Sequence, residues 1–297
     1  MQKKYTTDRL ILAELNLTDA DFIFELVNTA EWKQFIGERH INSKEDAVAY
    51  TQKIISNTNI SYWVVKLKEQ LVPIGIITLI KRDYLQHRDI GFAFLPAFGK
   101  KGYATEAAAV VLRDLANDND CQSVLATTIE ENTNSIQLLE KLGLSFSERI
   151  TQDGETLLIY AVTSDKIKID QLANSFFSVF NNCDQREPGW ETLYAICITE
   201  TIIIKKAGLA ETVYNLGDFI TPRKKILSDG TLTNFKEKEI KEGSNIIGNI
   251  AQRHSRYQKE GYLNGNYFKE YGHKFFQFIK TTEGWKINAM IWEDDTV

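Results

Sequence analysis

The chain has 297 residues, of which 43% are hydrophobic and 25% charged, with only 4 prolines. That balance is typical of a globular protein and excludes fibrous and disordered classes, while the length favours two domains. Residues 1–163 carry 17 Lys and Arg against 22 Asp and Glu, and residues 164–297 carry 18 of each, which gives the formal net charge of -5. Without a basic surface, nucleic acid is not expected as a partner.

Three cysteines, Cys121, Cys183 and Cys197, are too few and too irregularly spaced for a disulfide framework, and no Cys/His spacing is typical of a zinc site. The opening MQKKYTTDRLILAEL begins with basic residues but continues with acidic ones and no cleavable apolar segment. Apolar runs elsewhere are shorter than a membrane span. We therefore expect free thiols, no metal, no membrane contact and a cytoplasmic location.

In chain order, the first half alternates strand-like and helix-like segments. DRLILAEL predicts a strand, and residues 18–28 and 43–56 predict helices capped by Thr18 and Ser43. SYWVVKL, LVPIGIITLI and RDIGFAFL predict an antiparallel meander. Next come a helix over residues 103–116, the strand SVLATTI, a helix over 133–142 that ends at Gly143, and a hairpin over 144–162 that turns at Asp153 and Gly154. This order predicts a mixed sheet with helices on both faces.

The second half has a different rhythm. Residues 168–182 predict a helix with one apolar stripe, and AICITETIII predicts a strand. Asp218 is expected to cap a helix whose first turn contains Pro222. Long strands are predicted over residues 231–241, 245–259, 267–280 and 285–292. The boundary falls near residues 163–166, so the predicted domains are 1–163 and 164–297.

The stretch LPAFGKKGYATEAA, residues 95–108, leaves a strand and enters a helix. Amides at a helix N-terminus, together with the helix dipole, attract anions, and glycine lets a phosphate approach closely. The groups that would hold the anion are Gly99, Lys100, Lys101, Gly102, Tyr103, Ala104 and Thr105. The residues alone leave open the alternative of a flexible connection with solvated lysines.

Together with NTNSIQLLEKLGL at residues 132–144, the motif DIGFAFLPAFGKKGYATEA resembles the GCN5-related N-acetyltransferase (GNAT) superfamily, in its ribosomal-protein N-terminal acetyltransferase branch. The resemblance covers residues 6–162 and implies an α/β fold whose mixed, mostly antiparallel sheet is flanked by helices. It implies acetyl-CoA as co-substrate, with the pyrophosphate at residues 99–104 and the pantetheine arm along Phe94, Leu95 and Asn132. Gly99 and Lys100 depart from the family pattern, whereas Gly102 and Ala104 match it.

Acetyl transfer to an amine needs a base that takes the amine proton and a donor for the leaving thiolate. Asp89 lies where this branch often carries a Glu, so the resemblance makes it the candidate general base. The alternative is a solvated strand-end carboxylate paired with Arg88 or His87. Glu130 is a second candidate base.

The second motif leaves the general acid open. Many relatives place a Tyr there, but this chain has Leu139. The resemblance implies that Ser135 hydrogen-bonds the sulfur or the pantetheine chain instead. Alternatively, Ser135 only satisfies local backbone groups in the first helical turn.

Segments of the second half, including LYAICITETIIIKKAG, GNIAQRHSRYQKEG and GHKFFQFIKTTEGWKINAMIWED, resemble the nuclear transport factor 2-like (NTF2-like), SnoaL-like fold. That resemblance implies an α+β cone with a curved antiparallel sheet. Such folds serve as enzymes, binding domains and dimerisation modules, so the fold fixes no function. Four polar residues either line its pocket or else lie on a solvated face or satisfy local hydrogen bonds: Arg253, Tyr257, Lys274 and Asn288.

The predicted function is therefore transfer of acetyl from acetyl-CoA to an amine, either a protein N-terminus or a small molecule. The second domain is expected to bind the acceptor or to form a homodimer. Loops over residues 32–40 and 81–87 are expected to set acceptor choice. Two alternatives stay open: an acyl-CoA sensor whose second domain binds a small ligand, and a bifunctional enzyme.

Overall fold

A computed structural model describes residues 3–183 and 188–295. The chain divides into two compact units, Met1–Ile167 and Lys168–Val297. Helix α6, Ser164–Val179, crosses this division and begins before residue 168, where the sequence predicts its start. Each unit is built on its own sheet.

The first unit contains an eight-stranded sheet of order β1-β2-β3-β4-β5-β6-β8-β7. Its strands are β1 Tyr5–Thr6, β2 Leu10–Glu14, β3 Ile60–Leu67, β4 Pro73–Ile80, β5 Asp89–Phe94, β6 Ser123–Thr128, β7 Ser145–Gln152 and β8 Glu155–Thr163. Neighbouring strands are antiparallel except β5 and β6, which run parallel. The predicted mixed, mostly antiparallel sheet is confirmed.

Helices cover both faces of this sheet. The helices are α1 Ala20–Val27, α2 Ala30–Phe35, α3 Lys44–Ile55, α4 Tyr103–Ala116 and α5 Thr133–Lys141. Because successive side chains of a strand point to opposite faces, β3 serves two cores. Tyr62 and Val64 pack in the cluster of α1 to α3, whereas Trp63 and Val65 pack in the cluster of α4 and α5.

Local signals predicted several turns and caps of this unit. Ser43 caps α3 in a reciprocal capping box with Asp46, as expected. Asp153 and Gly154, with φ of 53° and 84°, form the predicted tight turn between β7 and β8. Thr18 is not a cap: Asn16 accepts a 2.9 Å bond from the Thr18 amide and begins a short turn that delays α1 to Ala20.

The second unit contains a six-stranded sheet of order β10-β9-β14-β13-β12-β11. Its strands are β9 Cys197–Ala207, β10 Ala210–Tyr214, β11 Leu232–Ile247, β12 Ile250–Leu263, β13 Asn266–Thr281 and β14 Gly284–Asp294. The sheet is mixed rather than wholly antiparallel, because β14 runs parallel to β9. Helices α6, α7 Trp190–Ile196 and α8 Leu216–Ser228 contribute to the core on one face.

Two predictions for α8 are wrong. The Asn215 side chain caps the helix: its Oδ1 accepts a 2.9 Å bond from the Asp218 backbone amide, and its Nδ2 donates to the Asp218 carboxylate at 2.8 Å. Asp218 is therefore inside the first turn, and Pro222 lies in the helix interior. The strands that follow are longer than predicted, because β-bulges let β11 continue to Ile247 and the turn falls at Gly248.

Candidate functional site

The first unit has an opening between two parallel strands. Strands β5 and β6 pair only at Asp89 and Leu125, while β5 otherwise pairs with β4 and β6 with β8. The two strands therefore diverge beyond Asp89. Since parallel strands end at the same edge of a sheet, the segments that follow β5 and β6 lie on the same side of this split.

The turn after β5 prepares a helix N-terminus for an anion. Its two left-handed residues are Lys100, with φ 58°, and Gly102, with φ 79°, the residue before α4. Gly99 is not left-handed, since its φ is −64°. Glycine suits that position because a Cβ would lie only 3.2 Å from the Pro96 carbonyl oxygen. Of the two predicted glycines, only Gly102 supplies a left-handed backbone.

Amides at the start of α4 are available to a ligand. The first intrahelical bond runs from the Glu106 amide to the Gly102 carbonyl at 3.1 Å, so the N–H groups of Tyr103, Ala104 and Thr105 precede the helical ladder. The helix dipole adds partial positive charge at this end. Residues 99–105, which include these amides, are called the anion cradle below.

A clamp that the sequence did not predict fixes the cradle. Arg9 donates from Nε to Glu106 at 2.7 Å and from a terminal nitrogen to the Lys101 carbonyl at 3.1 Å, and its guanidinium lies 4.6 Å from the Tyr103 ring centre. Thr7 also donates to Glu106, at 2.5 Å. Burial opposes ionisation of Glu106, but the bonds from Thr7 and Arg9 outweigh it and lower the pKa of the carboxyl. Since 97 residues separate Arg9 from Glu106, no local signal reveals this clamp.

Asp89 lies at the closed end of the split and is only 2% exposed. It pairs with Arg82 at 2.5 Å and accepts bonds from the amide and hydroxyl of Thr127 at 2.9 and 3.2 Å. Burial raises the pKa of Asp89, although Arg82 and Thr127 oppose the shift. The carboxylate is therefore not solvated, and its partner is Arg82 rather than Arg88 or His87.

The segment after β6 carries the other predicted residues. Asn132 caps α5 by accepting a 3.1 Å bond from the Ser135 amide, and Ser135 is half-buried in the first turn. Glu130 is exposed and pairs with Arg149 at 3.2 Å. Leu139, at the position where relatives carry a Tyr, is buried in the apolar core. Asn132 and Ser135 thus lie at the start of α5, in the segment that follows β6, whereas Glu130 is exposed.

A polar cavity of about 570 Å³ lies beside the closed end of the split. Its lining consists of Asn57, Asn59, Ile60, Ile80, Lys81, Arg82, Asp83, Tyr84 and Gln152. Arg82 both lines this cavity and holds Asp89. The loop over residues 81–87 therefore contributes to a cavity. The other predicted loop is partly helical, because Trp32 lies in α2 and is buried.

Residues 9–145 match the acetyltransferase (GNAT) domain family. A split between parallel strands with an anion cradle at its open end suits that match, so the first unit contains a GNAT acetyltransferase domain over residues 9–145. Among curated proteins, the chain is similar to the uncharacterized N-acetyltransferase YnaD of Bacillus subtilis, with 29% identity over 47% of this chain and 81% of the relative. It is also similar to YoaA of the same organism, with 25% identity over 46% of this chain and 80% of the relative.

Among solved structures, the chain is similar to a probable GNAT-family acetyltransferase from Chromobacterium violaceum. The two share 14% identity with a TM-score of 0.50, over 56% of this chain and 88% of that one. At this identity the likeness shows the fold alone.

Some features bear on other classes of site. Within residues 3–183 and 188–295, no group of three His, Cys, Asp or Glu side chains is arranged to hold a metal ion. The three cysteines are free thiols. In the same part of the chain, no helix is both long and apolar enough to cross a bilayer.

Proposed function

We propose that the first unit transfers acetyl from acetyl-CoA to an amine across the split between β5 and β6. The observation that carries this proposal is the divergence of the two strands from Asp89 onward, with the anion cradle after β5. A diphosphate would meet the amides of Tyr103, Ala104 and Thr105 at the start of α4. The pantetheine arm would lie along Phe94 and Leu95, with Asn132 and Ser135 on the opposite side.

In this proposal Asp89 is the general base. It lies five residues from Phe94, roughly 16 Å along the strand, which places it at the far end of an extended arm from the cradle. Because both of its oxygens accept hydrogen bonds, it would take the amine proton through a water molecule. The free amine then attacks the thioester carbonyl and the thiolate leaves.

The leaving thiolate needs a hydrogen-bond donor. At the position where many relatives carry the general-acid Tyr, this chain has the buried Leu139, which has no polar group and cannot donate to the thiolate. We assign the donor role to the Ser135 hydroxyl, which lies in the first turn of α5 at the carboxyl end of β6. Glu130 remains a second candidate base, although its exposure makes it a weaker one.

The polar cavity beside Arg82 is proposed to receive the acceptor. Its lining supplies three side-chain amides, a carboxylate, a phenol and the cations Lys81 and Arg82, beside Ile60 and Ile80. This mixed lining suits a polar acceptor such as a peptide N-terminus or a small polyfunctional amine. Residues 81–87 would then set acceptor choice.

For the second unit we propose an NTF2-like (SnoaL-like) domain that serves acceptor binding or homodimerisation. The order of its strands and helices and a large cavity on the helix-covered side support the assignment. Exposed Ile202, Phe275 and Ile291 on neighbouring strands of its other face support self-association. A cytoplasmic location is part of this proposal.

One observation favours a second function. Leu139 removes the usual acid and Asp89 is fully engaged, which would suit an acyl-CoA sensor with little turnover. Release of free thiol from acetyl-CoA, measured across a panel of peptide and small-molecule amines, separates the two. Amine-dependent release that is lost in Gly102→Glu supports the transferase. Tight CoA binding without release with any amine supports the sensor.

A further inference from the structure

The second unit contains an open cavity of about 620 Å³ between the inner face of its sheet and helices α6 and α8. This is within the size range of cavities that hold small organic ligands. Its walls are rich in aromatic residues, which include Phe176, Phe180, Phe219, Phe235, Phe268 and Trp292. An aromatic wall of this kind favours a flat, apolar ligand body.

Charged residues occupy inward positions of the sheet where an ordinary core carries apolar ones. On β13, Glu270 and Lys274 lie an even number of positions apart, so they point to the same face of the sheet, and both line the cavity. Lys274 pairs with Glu237, and Lys259 pairs with Asp294 at 2.6 Å and Glu270 at 3.1 Å. These charges satisfy one another, so they fix polar positions in the wall without demanding a charged ligand.

Tyr257 is held rigidly between these pairs. Its hydroxyl donates to Asp294 at 2.5 Å, and Lys274 Nζ lies 3.6 Å from its ring centre. The residue across from it on β13 is Gly272, where a Cβ would overlap the Tyr257 ring. The wall is therefore shaped in advance rather than collapsed.

Unlike the paired charges of the sheet, Arg223 has no carboxylate of the described residues within ion-pair distance. Phe219, Arg223 and Leu227 recur at every fourth position of α8 and all line the cavity, so Arg223 takes a place in the apolar stripe of the helix. Its guanidinium lies 3.7 Å from the Phe219 ring centre and 5.4 Å from that of Trp292, and it donates to the Phe219 carbonyl at 2.8 Å.

Within residues 3–183 and 188–295, no carboxylate forms an ion pair with Arg223, and the same holds for Lys205, a second cation of the lining. The cavity lining contains Lys205, Arg223, Lys259 and Lys274 against Glu237, Glu270 and Asp294. A cation that lacks a carboxylate inside an aromatic cavity is a specific receptor for an anionic group.

We propose that this cavity binds a small aromatic carboxylic acid as its anion, with the ring against the aromatic wall and the carboxylate on Arg223. Rings beside the guanidinium hold its plane in place, which leaves its outward N–H groups for a bidentate contact. This site lies wholly in the second unit and uses none of the residues of the acetyl-transfer proposal.

The test compares two probes of the same shape, 2-naphthoate and its neutral amide, on the full chain by isothermal titration calorimetry. The wild type should bind the acid roughly tenfold or more tightly than the amide, because one charge-assisted hydrogen-bond pair is at stake. Arg223→Gln should lose this preference while it still binds the amide. Lys224→Gln, an exposed cation on the next residue of α8, should keep it.

Equal affinity of the wild type for acid and amide would overturn the proposal, as would binding of neither probe. So would an acid preference that survives in a folded Arg223→Gln protein. The comparison of probes on the wild type does not depend on any variant, so it decides the matter even if Arg223→Gln fails to fold. Thiol release from acetyl-CoA, assayed on the same samples, reports separately on the first unit.

Discussion

At the scale of single residues, Gly102 and Asp89 define the two ends of the split. Gly102 has a φ of 79° directly before α4, a conformation that costs other residues roughly 1–2 kcal/mol. Asp89 is a buried carboxylate at the point where β5 and β6 last pair. Each residue therefore supports a separate prediction.

Gly102→Glu should weaken CoA binding by at least roughly tenfold, since it adds backbone strain and sets a carboxylate among phosphates. Calorimetry with CoA measures the effect. The matched control is Gly208→Glu, which has a φ of 60°, open space around its Cα and a place in the second unit. An unchanged CoA affinity in Gly102→Glu would refute the cradle assignment.

Asp89→Asn should lower kcat strongly, by roughly 100-fold or more, while CoA affinity changes little. Because burial raises the pKa of Asp89, the wild-type rate should fall on the acid side below a midpoint higher than that of an ordinary carboxyl. The variant should lack this acid limb. A pH–rate profile with the same limb in both proteins would show that Asp89 only positions the strands.

The raised pKa of Asp89 also makes the stability of the fold depend on pH. The dependence runs opposite to that of most carboxyl groups, whose pKa is lowered by folding. A folded-state pKa above the unfolded one means that the folded protein holds the proton more tightly. Stability from this group is present below the ordinary carboxyl pKa and is lost as the pH rises through the raised value. Urea unfolding of the wild type and Asp89→Asn at several pH values measures this. The excess in free energy of unfolding of the wild type over the variant should decrease as the pH rises through that range.

At the scale of elements, the N-terminus of α4 is tied to β2 by the clamp of Arg9 and Glu106. Glu106→Gln should destabilise the first unit by about 1–2 kcal/mol at neutral pH, because it breaks charge-assisted bonds. Since the pKa of Glu106 is lowered, its contribution is present above the ordinary carboxyl pKa and lost as the pH falls through the folded value. The loss in Glu106→Gln should therefore shrink in acid.

Glu45→Gln is the control for the clamp. Glu45 also lies in the first turn of a helix and is exposed, so it shares the interaction with the helix dipole but not the clamp. Chemical denaturation at several pH values measures both variants. If Glu45→Gln and Glu106→Gln lose the same free energy of unfolding, the effect of Glu106 comes from the helix dipole alone and not from the clamp.

The inner face of the second sheet carries the buried pair of Lys274 and Glu237. Removing one partner leaves a buried charge, so Lys274→Met should destabilise the unit by about 3–5 kcal/mol. The double variant Lys274→Met with Glu237→Leu should recover most of that loss. Thermal and urea unfolding measure the cycle, and additive losses would contradict a direct pairing.

At the scale of the whole molecule, the proposed homodimer depends on the outer face of the second sheet. Phe275 and Ile291 are direct cross-strand neighbours and are 55% and 42% exposed. Light scattering should give twice the monomer mass of 34.0 kDa. The double variant Phe275→Lys with Ile291→Lys should be monomeric. Thr221→Lys, at an exposed position of α8, should leave the dimer intact. A monomeric wild type at micromolar concentration would refute this assembly.

Elements defined by local signals were predictable from the sequence. The bounds of α4, the Ser43 cap and the turn at Asp153 and Gly154 follow from apolar spacing, side-chain capping and residues that accept a positive φ. The caps at Thr18 and Asp218 were wrong, because Asn16 and Asn215 lie two and three residues upstream and accept bonds from the backbone amides of Thr18 and Asp218 themselves. Where several residues that can cap a helix lie close together, the sequence alone does not show which of them is the N-cap.

The tertiary structure alone decided which charges are buried and with whom they pair. The sequence left open that Asp89 is a solvated strand-end carboxylate, yet Arg82 and Thr127 enclose it, and Thr127 is 38 residues away. In the sequence, Arg223 is the first of three consecutive cations. Of the three, only Arg223 lines the aromatic cavity, because the packing of α8 points it inward. Sequence specifies local backbone preference, whereas burial and pairing depend on contacts that exist only after distant segments pack.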